Sequence, residues 1–174
     1  VFGGGFISGA RDDKFYQPWF DKLTSEGYRV VSIDYRLKLK GLKLKPFRDR
    51  AIFMDAVDSA VEDLLSATAF IIENASDLNI DPANIVTIGS SAGAMTVISA
   101  DYELCNRTEM VSSLPATFRY KGVIPLSGAI YRDDGKPSYK ESPSPEERLL
   151  KGAIPPVCRY NVLRTPVRTG LLPS

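Results

Sequence analysis

The residues best placed to do chemistry are Gly89-Ser90-Ser91-Ala92-Gly93. The apolar run Ile85-Val86-Thr87-Ile88 precedes them, and the helix-like Ala94-Met95-Thr96-Val97-Ile98-Ser99 follows. Strand, pinched turn and helix in that order make a nucleophile elbow, in which a strained serine leaves no room for a Cβ two residues before it or two residues after it. Ser91 is the candidate nucleophile. A hydroxyl is a weak nucleophile at neutral pH and needs a base within hydrogen-bond reach to take its proton and later hand it to the leaving group. Histidine most often does this, and the sequence contains none. No lysine stands in a Ser-x-x-Lys arrangement on a helix, and a lysine base would also have to be desolvated.

A second stretch, Phe2-Gly3-Gly4-Gly5-Phe6, falls where a strand would run into a loop. Successive glycines leave backbone N–H groups bare and free to point at a ligand oxygen. Together with the serine turn, this loop resembles the G-G-G-F oxyanion loop and G-x-S-x-G elbow of the α/β-hydrolase carboxylesterases and lipases, in particular the hormone-sensitive-lipase-like bacterial esterases. Between the two motifs, Val30-Val31-Ser32-Ile33-Asp34-Tyr35-Arg36-Leu37 is similar to that family's V-V-S-x-D-Y-R-L strand. Asn79-Ile80-Asp81-Pro82-Ala83-Asn84-Ile85 is similar to its G-x-D-P-x-R-I approach to the elbow. The resemblance runs from residue 1 to about residue 130, in the family's order. It implies an acyl-serine mechanism on carboxylic esters, with the amides of Gly4, Gly5 and Ala92 converging on the substrate carbonyl oxygen. It also implies that Phe2 replaces a loop-shaping histidine and not the catalytic one.

Composition excludes more than it proposes. A net charge of +1 and a hydrophobic fraction of 44% describe an ordinary globular chain with no call for nucleic acid. No run approaches the roughly 18 apolar residues that cross a bilayer, and no targeting segment is visible. Cys105 and Cys158 are too few for a disulfide framework and have no partner at metal-ligand spacing, so they read as a buried small residue and a bystander. No cofactor or metal is expected, and the implied partner is a small-molecule ester.

The elements that must position the motifs follow from periodicity. Residues 13–26 predict a helix, with Phe15, Trp19, Phe20 and Leu23 on its inner stripe and Gly27 ending it. Tyr28 to Ile33 predicts a strand buried on both faces. Ile52 to Ala75 predicts a long helix lying on the sheet, its stripe formed by Phe53, Val57, Val61, Leu64, Thr68 and Ile71. Asp55 and Asp58 fall largely off that stripe and read as a solvated face. Strands at 84–89 and 121–126 flank a helix beginning at Ala92. The fold expected is α/β: a mostly parallel sheet of the α/β-hydrolase type, with helices on both faces. Seven basic residues between Arg36 and Arg50 read as a solvated loop in preference to an anion site.

Both ends depart from the resembled family. Val1 and Phe2 read as the last residues of a strand whose beginning is missing. After residue 142 the composition shifts, with six of the twelve prolines and a net +3 in residues 143–174. The expectation is therefore a partial α/β-hydrolase domain over 1–142, lacking first and last strands, and an atypical Pro/Arg-rich tail over 143–174. Asp133 and Asp134 lie where some relatives place a triad acid, but without a histidine to orient they read as turn residues. Two functions stand: a serine carboxylic-ester hydrolase, of which this chain is an inactive or weakly active fragment, and a non-catalytic α/β-hydrolase-like binding protein. Retention of Ser91 and both oxyanion elements favours the first.

Overall fold

A computed structural model describes residues 1–42 and 49–127. The expected domain boundary at residue 142, the tail over 143–174, Asp133 and Asp134 fall outside these residues, as do residues 43–48 of the basic loop. In chain order the main elements are α1 (Gln17–Ser25), α2 (Arg50–Glu73), the short α3 (Ala75–Leu78), β1 (Val86–Ser90), α4 (Ala92–Asn106) and β2 (Gly122–Leu126).

The two strands pair in parallel, Val86 opposite Gly122 through Ser90 opposite Leu126. On its other side β1 is paired as well. The Val1 nitrogen donates to the Ile88 carbonyl at 2.7 Å, and the Ser90 N–H donates to the Val1 carbonyl at 3.1 Å. Two bonds made by one residue to positions two apart are the signature of a parallel bridge. The strand leading to Ser91 is thus flanked on both sides. At its end the Ser91 N–H reaches the Leu126 carbonyl at 2.9 Å. Alternate residues carry the bonds of a parallel ladder, so Pro125, which lacks an N–H, falls on the side facing away from β1.

The long helix α2 starts where Asp49 caps it, its carboxylate accepting the Ile52 N–H at 3.4 Å. Its buried stripe runs through Phe53, Ala56, Val57, Ala60, Val61, Leu64, Leu65, Thr68 and Ala69, the expected face widened by small residues. The expectation that α2 lies on the sheet is corrected: it packs on α4, and α4 packs on both strands. Alanines at 56 and 60 of α2 and at 94 and 100 of α4 are fully buried. Inside this core the Tyr120 hydroxyl meets Thr68 Oγ1 at 2.8 Å. Thr68 itself donates to the Leu64 carbonyl, so the tyrosine is the donor of the pair. Burial pushes the phenol up to about 12.

Among the described residues, Val86, Ile124 and Leu126 on the sheet face opposite α4 remain exposed. Two further expectations are corrected. Residues 28–33 form no strand. A strand is a pairing, not a property of one segment, and among the described residues 29–36 make no backbone ladder. The segment is also not buried on both faces, since Tyr28 and Val31 are exposed. Finally α1 begins at Gln17, not at residue 13. Pro18 can stand only in the first turn, since its missing N–H and ring forbid a preceding helical turn. This short helix buries none of its residues, and Phe15 and Trp19 of the expected stripe face solvent.

The described part of the basic loop is a tether. Arg36 bonds Glu62, Asp63 and the Ser59 carbonyl, and Lys38 bonds Asp55 at 2.6 Å, all on α2. In the last turn of α4, Cys105 is half-buried, not the buried small residue expected from the sequence.

Candidate active site

The serine turn is built by close approach. A Cβ on Gly89 would lie 2.1 Å from the Gly93 carbonyl oxygen, and one on Gly93 would lie 2.3 Å from the Val1 and 2.6 Å from the Phe2 carbonyl oxygens. Both positions therefore accept only glycine, and both obstacles are backbone. Between them Ser91 adopts φ 51 and ψ −113, a conformation L residues rarely visit. Its carbonyl accepts the Ala94 and Met95 N–H groups at 3.0 and 3.2 Å, closing the first turn of α4.

Serine at a helix N-cap usually turns its hydroxyl onto the backbone two or three residues ahead. Ser91 does not: it makes no side-chain cap bond, and the residue is exposed. Ala92, next in the chain, is 3% exposed, and its amide donates to no acceptor among the described residues. A buried amide without a partner is rare and costs about 1–3 kcal/mol. It stands at the positive end of the 15-residue α4, where negative charge is stabilised.

The glycine loop lies against this turn. A Cβ on Gly3 would stand 3.0 Å from the Ser90 carbonyl oxygen and 3.2 Å from the Ser91 Cβ. Gly4 and Gly5 take φ 117 and φ 64, and Phe6 takes φ 61. The Gly4 carbonyl turns inward to accept the Ile7 and Ser8 N–H groups, whereas the Gly4 and Gly5 amides donate to no described acceptor. Such backbone is soft, and it is held at both ends by buried aromatics. Phe2 stacks on Tyr35 with centroids 4.4 Å apart, and Phe6 meets Tyr35 and Phe53 edge-on at 6.0 and 5.7 Å. The Tyr35 hydroxyl bonds the Phe2 carbonyl, and the Leu39 N–H bonds that of Phe6. Residues 35–39 thus serve the site as a clamp on the loop.

The structure brings Ser91, Ala92 and the Gly3-Gly4-Gly5 loop to one place. Tyr16 joins them, its hydroxyl accepting the Gly3 N–H at 3.0 Å. Sequence reasoning passed over this residue because it precedes α1 and has no place in a stripe. An open groove of about 530 Å³, lined by Val31, Ile33, Phe70, Ile71 and Leu78 among others, includes none of these residues. Among the described residues no group of three or more His, Cys, Asp or Glu side chains could hold a metal ion, and no helix is long and apolar enough to cross a membrane.

The chain is 34% identical over 97 residues to Gut esterase 1 of Caenorhabditis briggsae, a match covering 56% of this chain and 16% of that protein. No solved structure matches. The sequence model of the BD-FAE family matches residues 1–154, and the chain belongs to that family, an esterase-like family of α/β-hydrolases.

Proposed function

We propose that this chain carries the acyl-transfer centre of a serine carboxylic-ester hydrolase, with Ser91 as nucleophile and the amides of Gly4, Gly5 and Ala92 as its oxyanion donors. The observation that carries the reading is the state of Ser91: a residue at an N-cap position whose hydroxyl does not cap, held at φ 51 beside a buried amide that has no acceptor among the described residues. Strain of this kind costs about 1–3 kcal/mol and persists only where the surroundings over-determine it. Ser91 Oγ attacks the ester carbonyl carbon, and the carbonyl electrons move onto the oxygen facing the amides. The alcohol then leaves with a proton, and water releases the acid from the acyl-serine. The esterase character of the family, together with the name of the nematode relative, supports carboxylic esters as substrates.

The proton of Ser91 requires an acceptor, and no histidine exists in these 174 residues. The chain alone is therefore expected to keep only what preorganised donors and binding supply, about a thousandfold over water in other serine hydrolases stripped of triad members. The same lack of histidine favours a second reading, a non-catalytic member of the fold that binds a partner. Two measurements decide: turnover of p-nitrophenyl acetate or butyrate, and labelling by a fluorophosphonate probe, each beside Ser91→Ala. Slow labelling that vanishes in Ser91→Ala supports the hydrolase centre. Labelling that survives the substitution, or is absent from the folded wild-type chain, leaves the binding protein.

A further inference from the structure

We propose that Tyr16 is the positioning residue of the glycine loop, fixing which of its amides face the substrate; the inference rests on the acyl-transfer reading of Ser91. Three consecutive glycines offer three N–H groups and a backbone with wide conformational freedom. The Tyr16 hydroxyl takes the first of them, accepting the Gly3 N–H at 3.0 Å. Gly3 is thereby withdrawn from the set of donors, and the loop is pinned at the residue nearest the serine. A Cβ on Gly3 would lie 3.5 Å from the Tyr16 hydroxyl and 3.2 Å from the Ser91 Cβ, so phenol, loop and serine turn border one small space.

The phenol is itself held in place. The Tyr16 N–H bonds the Asp13 carbonyl at 3.0 Å, and its ring packs between Phe15 and Phe20, at centroid distances of 5.1 and 6.4 Å. It also packs against the main core, although α1, which follows it, buries no residue. The first turn of α1 is anchored at Tyr16 by two bonds to its carbonyl, from Trp19 and Phe20. An exposed helix adjoining the site thus has a purpose: it carries the hydroxyl that orders the loop. Preorganised donors accelerate acyl transfer because they need no reorganisation when the oxyanion forms.

The test is the rate of fluorophosphonate labelling of Tyr16→Phe, which removes one oxygen and keeps the ring, read beside wild type, Ser91→Ala and Tyr28→Phe. Labelling of Tyr16→Phe is expected to slow about tenfold, the rate equivalent of one lost hydrogen bond of loop order, with the melting temperature within about 2 °C of wild type. Tyr28→Phe, which removes the same oxygen from an exposed ring, is expected to label as wild type. Wild-type labelling by Tyr16→Phe, with Ser91→Ala silent, overturns the role of Tyr16 and leaves the acyl-transfer reading standing. Labelling independent of Ser91 overturns both. Should Tyr16→Phe fail to fold, amide hydrogen exchange of the wild-type chain decides: a protected Gly3 N–H beside exchanging Gly4 and Gly5 supports the pin, and a freely exchanging Gly3 N–H overturns it.

Discussion

Gly93→Ala tests most directly how the serine turn and the glycine loop are joined. The added methyl would stand 2.3 Å from the Val1 carbonyl oxygen and 2.6 Å from that of Phe2, about 1 Å inside ordinary contact. Both obstacles are main-chain atoms, so no rotamer relieves the overlap, and the first turn of α4 must part from residues 1 and 2. Those residues hold the parallel bridge to β1 and lead straight into the glycine loop. Overpacking of this kind costs about 1–3 kcal/mol, and two backbone contacts put it at the upper end, so the melting temperature falls by about 5–10 °C. The separation also moves the Gly4 and Gly5 amides relative to Ser91 by a distance that costs enzymes about a hundredfold. Thermal melting by circular dichroism, with the rate of fluorophosphonate labelling, measures both effects. Gly122→Ala is the control, because its methyl would meet only the Val86 side chain, at 3.7 Å. It is expected to be neutral or to stabilise by about 0.5 kcal/mol through the unfolded state. If Gly93→Ala melts and labels like wild type, the glycine does not serve close approach and the account of the serine turn is wrong.

Ser91→Gly removes the side chain that strains at φ 51 and is expected to raise stability by about 1 kcal/mol in urea unfolding while abolishing labelling; a loss of stability would show that the turn is unstrained. Thr87 Oγ1 is buried without a partner among the described residues, so Thr87→Val should stabilise by about 1 kcal/mol, and a destabilised variant would mean that the hydroxyl is satisfied in solution. The carboxyl of Asp58, only partly desolvated on the surface of α2, is held above its ordinary value of 3.8 by that desolvation and by Glu103, Asp55 and Glu62. A raised carboxyl means that its ionised form weakens the fold above the folded pKa, and that this penalty fades as pH falls through that value towards 4. Because Asp58 is exposed to solvent screening, Asp58→Asn should gain only a few tenths of a kcal/mol at pH 7 and less near pH 4. A benefit that grows on acidification would contradict the assignment.

The serine turn was legible because it is local. Glycine at 89 and 93 around Ser91, after a β-branched run and before a helix, is a pattern that steric exclusion within a few residues explains. The face of α2 was legible for the same reason, since a 3.6-residue period needs no knowledge of the partner. What the partner would be was not. The two helices pack on each other, and nothing in either helix alone says that α2 lies on α4 and not on the sheet. Residues 28–33 carry strand composition, yet strand formation requires a neighbouring backbone, and tertiary structure supplied none among the described residues. In their place Tyr35, two residues further on, stacks on Phe2 and bonds its carbonyl, a contact spanning 33 residues. Tyr16 was equally hidden, because a hydroxyl 13 residues from the amide it accepts follows no periodicity. Sequence determined which residues could do the chemistry. Only the fold decided how the glycine loop is held, because its clamps come from segments distant in the chain.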